Sequence, residues 1–155
     1  MPSVSEAITL LNNPSIKSIF IGVPAGSDVE EPSCEGILFK GALPHEDIPT
    51  YLNAADVFVL PTLAEGCSNA IVEAMACGLP VISSDLPFNA DILNDKNAIL
   101  VDPMKVEQIA EGISKLLNNP DLRQQMSMAA LDAMKNLTIE NRVRAILQFI
   151  SSRSE

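Results

Sequence analysis

A strand-like run, a polar loop, a helical pattern and a second strand-like run follow one another between residues 56 and 83. The apolar runs are 56–60 and 80–83, and small and apolar residues recur at helical spacing across 69–78. Strand, loop, helix and parallel strand together make a βαβ unit. We expect further strands at 17–23, 36–40 and 98–101, and helices at 4–12, 45–54, 106–118, 121–137 and 140–151. This alternation predicts an α/β fold, with a doubly wound, parallel, Rossmann-like sheet.

Length and charge limit the domain count and the partners. The chain has 155 residues, of which 47% are hydrophobic, and this suits one domain over 1–155. Its formal net charge is −10, from 20 acidic and 10 basic residues. Nucleic acids and anionic membrane surfaces bind basic faces, so neither is an expected partner.

The loop before the predicted helix at 69–78 contains Gly66 and small polar residues. Free backbone N–H groups at a helix start, aided by the helix dipole, favour an anion such as a phosphate. Two carboxylates, Glu65 and Glu73, lie eight positions apart around this start. Asn69 and Glu73 are four apart and share one helical face.

The helical wheel directs five residues of this segment toward the sheet and leaves Glu73 pointing away from the core. The five are Ala70, Ile71, Ala74, Met75 and Gly78. A phosphate can then meet the helix start while carboxylates accept hydrogen bonds from sugar hydroxyls on either side of it.

The pattern Glu-Gly-x-x-Asn-x-x-x-Glu-Ala-Met-Ala-Cys-Gly-x-Pro-Val-Ile at 65–82 resembles the donor-site signature of retaining GT-B glycosyltransferases, the group 1 family. The resemblance extends over roughly 17–135 and is most specific over 53–103. It implies a nucleotide sugar as the donor substrate and a glycan or lipid-linked molecule as the acceptor. It implies no metal or other cofactor.

The resemblance also assigns roles within the signature. Glu73 matches the residue that holds the ribose hydroxyls of the nucleotide, and Glu65 matches the one that contacts the transferred sugar. Glu65 is therefore the candidate catalytic residue. The backbone that would face the sugar and the pyrophosphate belongs to Gly66, Cys67, Ser68 and Asn69.

Two departures from the family pattern set further expectations. GT-B enzymes have two Rossmann-like domains, and this chain resembles only the C-terminal, donor-binding one, so alone it should be inactive. The family's first strand ends in an Arg and a Lys that clamp the pyrophosphate, whereas residues 1–16 contain neither residue type. We therefore expect the family's first strand to be missing. Strand 17–23 should then pair directly with strand 56–60. This pairing would bury Ile19 and Ile21. Otherwise another chain fills the gap and the protein forms a homodimer through the exposed sheet edge.

Two other functions fit parts of the pattern. A non-catalytic nucleotide or sugar-nucleotide binding module would use the same residues without a partner domain. A receiver-like signalling domain needs Asp residues at strand ends, but Asp56 begins its strand, which disfavours this alternative. His45, the single histidine, follows Pro44 at a predicted helix start, and we expect it to serve as a cap or a surface residue.

The three cysteines, Cys34, Cys67 and Cys77, show no metal-ligand spacing. An odd count without a basic, apolar leader at the N-terminus favours reduced thiols and a cytoplasmic protein. Cys67 lies in the candidate site without a base near it in sequence, so a nucleophilic role is disfavoured.

Overall fold

A computed structural model describes residues 4–22, 36–64 and 68–151 of the chain. The helices are α1 (Val4–Leu11), α2 (Ile48–Asn53), α3 (Asn69–Ala76), α4 (Val106–Leu117), α5 (Pro120–Met134) and α6 (Ile139–Ser151). The strands are β1 (Ser18–Phe20), β2 (Ile37–Phe39), β3 (Phe58–Leu60), β4 (Val81–Ser84) and β5 (Ala98–Val101). Single 3₁₀ turns lie at His45–Asp47 and Pro87–Asn89. The predicted order of helices and strands is confirmed.

The strands form two parallel sheets. One contains β1 and β2, with Ile19 opposite Leu38, and the other has the order β3-β4-β5. In the second sheet Ile82 at the centre of β4 lies opposite Val59 on one side and Ile99 on the other. The α/β fold with parallel sheets, predicted from the alternation of elements, is confirmed.

Helices cover both faces of the three-stranded sheet. Successive side chains along each strand point to opposite faces, so each strand packs against both layers. Val57 and Val59 pack against a cluster that contains residues of α1, α4 and α5. Phe58 and Leu60 point the other way and pack against a cluster built by α3 and α5. The carboxyl ends of these strands are where a ligand binds in an open α/β sheet.

The expected pairing of β1 with β3 is wrong among the described residues, because the two strands belong to separate sheets. The position of β1 follows from α1, which precedes it and packs closely on α4. Ala7 and Ile8 of α1 are buried in the same cluster as Phe20 of β1 and Val59 of β3. Phe20 thus packs with α1 and α4 although no ladder joins β1 to β3 within the described residues.

The expected burial of β1 on both faces is also wrong. Ile19 and Ile21 are 47% and 37% exposed, and Leu38 of β2 is 49% exposed. Only the face that carries Phe20 and Ile37 packs against the cluster with α1 and α4. A half-exposed apolar strand with one edge unpaired within the described residues is a surface that other chains can pair with.

Helix α3 ends in a Schellman motif around Gly78. The N–H of Gly78 donates to the carbonyl oxygen of Met75 at 2.9 Å, and the N–H of Leu79 donates to that of Ala74 at 3.0 Å. Gly78 has a φ of +75°, a left-handed conformation in which a Cβ crowds the carbonyl oxygen. A Cβ here would also lie 3.2 Å from the Oγ of Ser127 in α5. The close approach of α3 and α5 therefore depends on glycine at this position.

The Gly78→Ala substitution is expected to lower the free energy of unfolding by about 1–2 kcal/mol, the cost of a left-handed L-residue. Gly41→Ala is the matched control for strain alone, because Gly41 has a φ of +64° and its Cβ would meet nothing within 4 Å. We expect the larger loss at Gly78, where crowding by α5 adds to the strain. Urea unfolding of both variants measures the difference, and a Gly78→Ala protein of unchanged stability would contradict the prediction.

Candidate functional site

The start of α3 lies beyond the carboxyl end of β3, on the edge of the sheet where the sequence placed the site. Ser68 occupies the N-cap position with an extended backbone, and its side chain makes no capping hydrogen bond. Its carbonyl oxygen accepts the N–H groups of Ile71 at 3.1 Å and Val72 at 3.2 Å. The first N–H groups of the helix thus precede the helical ladder and point out of its end, as anion-binding helix starts do.

The predicted face of α3 is largely confirmed. Asn69 is exposed and the side chain of Glu73 is 34% exposed, whereas Ile71 and Met75 on the other side are buried. The exception is Ala70, which was expected to face the sheet and is exposed. Positions three apart share a helical face, so Ala70 lies with Glu73 instead of with the core. The exposed side of α3 therefore presents a carboxylate and an amide from adjacent turns.

Glu73 contacts the single histidine of the chain. The Nε2 of His45 lies 3.0 Å from the Oε1 of Glu73, although 28 residues separate them in sequence. His45 begins the 3₁₀ turn that leads into α2, and its side chain is 84% exposed. The expectation of a surface position is thus confirmed, but its partner is Glu73, a carboxylate of the predicted site. No spacing or periodicity in the sequence connects the two residues.

A small apolar cluster fixes the spacing between His45 and Glu73. Leu52 of α2, Ala74 of α3 and Leu79 pack together there, and Ile48 and Phe58 pack against them. Ala74 directly follows Glu73, and Ile48 follows the turn that carries His45. The contact between the two polar side chains thus rests on buried neighbours on both elements.

Buried hydroxyls tie the ends of β3 and β4 together behind this face. The Oγ of Ser83 donates to the carbonyl oxygen of Leu60 at 2.8 Å, and the Oγ of Ser84 donates to the carbonyl oxygen of Thr62. The side-chain amide of Asn89 donates to the Ser84 carbonyl oxygen at 2.8 Å. These bonds hold the chain at Thr62, three residues before the candidate loop begins at Glu65.

Three of the predicted site residues, Glu65, Gly66 and Cys67, lie outside the described residues. The other three, Ser68, Asn69 and Glu73, lie within the first six residues counted from the N-cap of α3. Part of the predicted site therefore lies together at one helix start. The structure also places His45 in contact with Glu73 of that predicted site. Sequence analysis missed the buried polar residues Ser83 and Asn89, which support the strand ends.

The described ranges contain neither a metal-binding cluster nor a candidate membrane span. Within them, no three side chains of His, Cys, Asp or Glu converge to hold a metal ion. None of the helices there combines the length and the apolar character that crossing a bilayer requires. The expectation that no cofactor is needed remains a prediction.

Comparison with known proteins gives consistent matches. The family model described as glycosyl transferases group 1 matches residues 3–132. The O-antigen chain mannosyltransferase B of Escherichia coli is 33% identical over 114 residues, which cover 73% of this chain and 30% of that protein. The chain thus spans less than a third of this relative's length.

Solved structures resemble the chain as well. The C-terminal domain of LpcC, a glycosyl transferase group 1 family protein from Francisella tularensis, is 28% identical with a TM-score of 0.60, and the match covers 66% of this chain and 53% of that one. HepE from Anabaena, solved with UDP-glucose, has a TM-score of 0.78 at 20% identity, and the match covers 94% of this chain and 44% of that one. The second likeness is one of fold.

Proposed function

Because the chain belongs to the group 1 family of glycosyl transferases, we propose that it is the donor-binding part of an enzyme that transfers a sugar from a nucleotide sugar to a glycan or a lipid-linked acceptor. Its structural neighbours are GT-B glycosyltransferases, and one of them was solved with UDP-glucose. The match to a C-terminal domain of the same family supports the assignment of this chain to the donor half.

The observation that carries the proposal is the exposed face at the start of α3. Ser68 leaves the helix start without a side-chain cap, so backbone N–H groups there are available to the donor pyrophosphate. Glu73 lies about one turn further on and is partly exposed beside Asn69. A carboxylate about one helical turn from a phosphate at the helix start can accept hydrogen bonds from the ribose hydroxyls.

The sugar-binding half of the site is proposed from sequence resemblance. Glu65 would contact the transferred sugar as the catalytic residue, and the backbone of Gly66 and Cys67 would line its path. In a retaining transfer the departing diphosphate gains negative charge, which N–H dipoles at the helix start would stabilise. We propose that this occurs without a metal ion or other cofactor.

The partner proposal is a second, acceptor-binding domain that forms the other wall of the cleft. We propose that residues 1–155 form one donor-binding domain and are inactive without that partner. The chain spans 30% of the mannosyltransferase of E. coli, which leaves room for such a domain. In α6, Val143, Ile146 and Leu147 share one face and are each about half exposed, as residues of an interaction surface often are.

Two further proposals concern assembly and location. β1 and β3 each lie at the edge of a described sheet and have one edge without a described partner strand, so a strand from another chain, such as a second copy in a homodimer, would complete them. Cys77 carries a free thiol, which is typical of proteins from reducing compartments and supports a cytoplasmic location.

The test is binding of UDP, GDP and ADP, followed by NMR shift mapping on the labelled chain. We expect weak binding, with the shifts concentrated at Ser68, Asn69 and Glu73. Glu73→Ala should weaken it about tenfold, since a hydrogen bond to a charged group contributes about 1.5–3 kcal/mol. Glu111→Ala is the matched control, because Glu111 is an exposed glutamate on α4.

Two results would count against this function. Shifts confined to surfaces away from 68–73 would place the nucleotide elsewhere. Equal affinities for the wild type and Glu73→Ala would remove the ribose contact from the proposal.

A further inference from the structure

The contact between His45 and Glu73 has a direction that the chemistry of the two groups fixes. A carboxylate accepts hydrogen bonds, so the proton in the bond between Nε2 and Oε1 belongs to the imidazole. At 3.0 Å the separation is that of a normal hydrogen bond. A carboxylate has about four acceptor positions. One of them is taken by His45, and no other described residue bonds to Oε2, which leaves that atom for a ligand.

We propose that His45 is a positioning residue for Glu73: its Nε2–H holds the carboxylate so that Oε2 faces the vicinal hydroxyls of a ribonucleotide. The inference rests on the proposed function, because it assigns to Glu73 the ribose of the donor. It adds a residue that the donor signature at 65–82 does not contain.

The exposure and packing of His45 and Glu73 indicate that their contact positions the glutamate and contributes little to the stability of the fold. The His45 side chain is 84% exposed and that of Glu73 is 34% exposed. An ion pair or hydrogen bond at such an exposed site contributes little to folding. Fixing a flexible glutamate before the ligand arrives, in contrast, lowers the entropy that binding must overcome. Leu52 and Ala74 hold the two backbones at this spacing, so the glutamate is oriented in the free protein.

The expected effect is a loss of ribonucleotide affinity of about three- to tenfold in His45→Ala, the cost of immobilising one rotamer-rich side chain on binding. His45→Gln should bind within about twofold of the wild type, because its amide is also a donor that reaches the carboxylate. Lys135→Ala is the control for the loss of an exposed ion pair, here the one with Asp132 at 2.9 Å, and should leave the affinity unchanged.

The test is a double-mutant cycle on the purified chain, with UDP and GDP as probes and their 2′-deoxy counterparts beside them. If His45 acts through Glu73, His45→Ala weakens binding in the wild type and has no further effect in Glu73→Ala. The 2′-deoxy nucleotides should be less sensitive to His45→Ala, since part of the diol is missing. Because the chain has a single histidine, its ring ¹⁵N signals are unambiguous, and Glu73→Gln should shift the Nε2 signal without any nucleotide.

Each outcome decides between the proposals. If Glu73→Ala leaves nucleotide affinity unchanged, the proposed ribose contact of Glu73 is wrong and the role of His45 falls with it. If Glu73→Ala weakens binding but His45→Ala does not, only the positioning role is wrong. If His45→Ala weakens binding equally with and without Glu73, the imidazole contacts the nucleotide directly, which also overturns the positioning role.

Discussion

Purified on its own, the chain is expected to transfer no sugar from UDP-, GDP- or ADP-linked donors, even where the nucleotide itself binds. Transfer requires an acceptor hydroxyl held close to the anomeric carbon, and such positioning is worth factors of about 10⁵ or more in effective concentration. In the proposed function, the start of α3 would form one wall of that cleft. Without a second wall, we expect both donor hydrolysis and transfer to fall below detection in assays that follow release of the nucleoside diphosphate.

The control for this prediction is complementation with a separately expressed acceptor-binding half from a relative in the same family. Transfer that appears only in the mixture supports a donor-binding domain. Nucleotide binding without transfer in any mixture favours the alternative of a non-catalytic binding module. Robust turnover by the chain alone would show that the half-enzyme proposal is wrong.

The parts of the fold that sequence predicted well are those with strong local patterns. Strands β4 and β5 match their apolar runs closely, because each packs on both faces against helices. Strand β1 is shorter than its apolar run at 17–23. A run of apolar residues predicts a strand, but the number of paired residues depends on a neighbour far away in sequence. For the same reason the pairing of β1 could not be predicted from local signals.

The candidate site divides in the same way. The helical period places Asn69 and Glu73 on one exposed face, and this could be read from their spacing. The approach of His45 to Glu73 could not, because it depends on how Leu52 packs against Ala74. The hydroxyl of Ser83 behind the site was equally hidden, since its partner is a backbone carbonyl oxygen of β3. Tertiary packing, more than local propensity, determines the surroundings of the predicted residues.

Ile82→Ala is expected to destabilise the chain by about 4 kcal/mol, near the upper end for removing a buried isoleucine side chain. Ile82 is fully buried at the centre of β4, between Val59 and Ile99 on the neighbouring strands. Its methyl groups approach α4 where Gly112 lacks a side chain, so truncation to alanine would leave a cavity between the sheet and α4. A loss of this size is a large share of the roughly 5–15 kcal/mol that stabilises a typical domain.

Ile146→Ala makes the same chemical change on the exposed side of α6, where Ile146 is 51% exposed. Its effect should stay within about 0.5 kcal/mol, because little apolar surface is lost and alanine is the better helix former. Urea unfolding of the two variants compares the same substitution at a buried and at an exposed position. Ile82→Val is an intermediate change, expected to lower the free energy of unfolding by about 1 kcal/mol. Similar losses for Ile82→Ala and Ile146→Ala would contradict the central position of β4.

The stability of β4 matters for the site, since β4 ends at Ser84, whose hydroxyl holds the chain at Thr62. The Ile82→Ala protein should therefore lose nucleotide binding only as it unfolds. The Glu73→Ala protein, in contrast, should bind nucleotide more weakly while it is still folded.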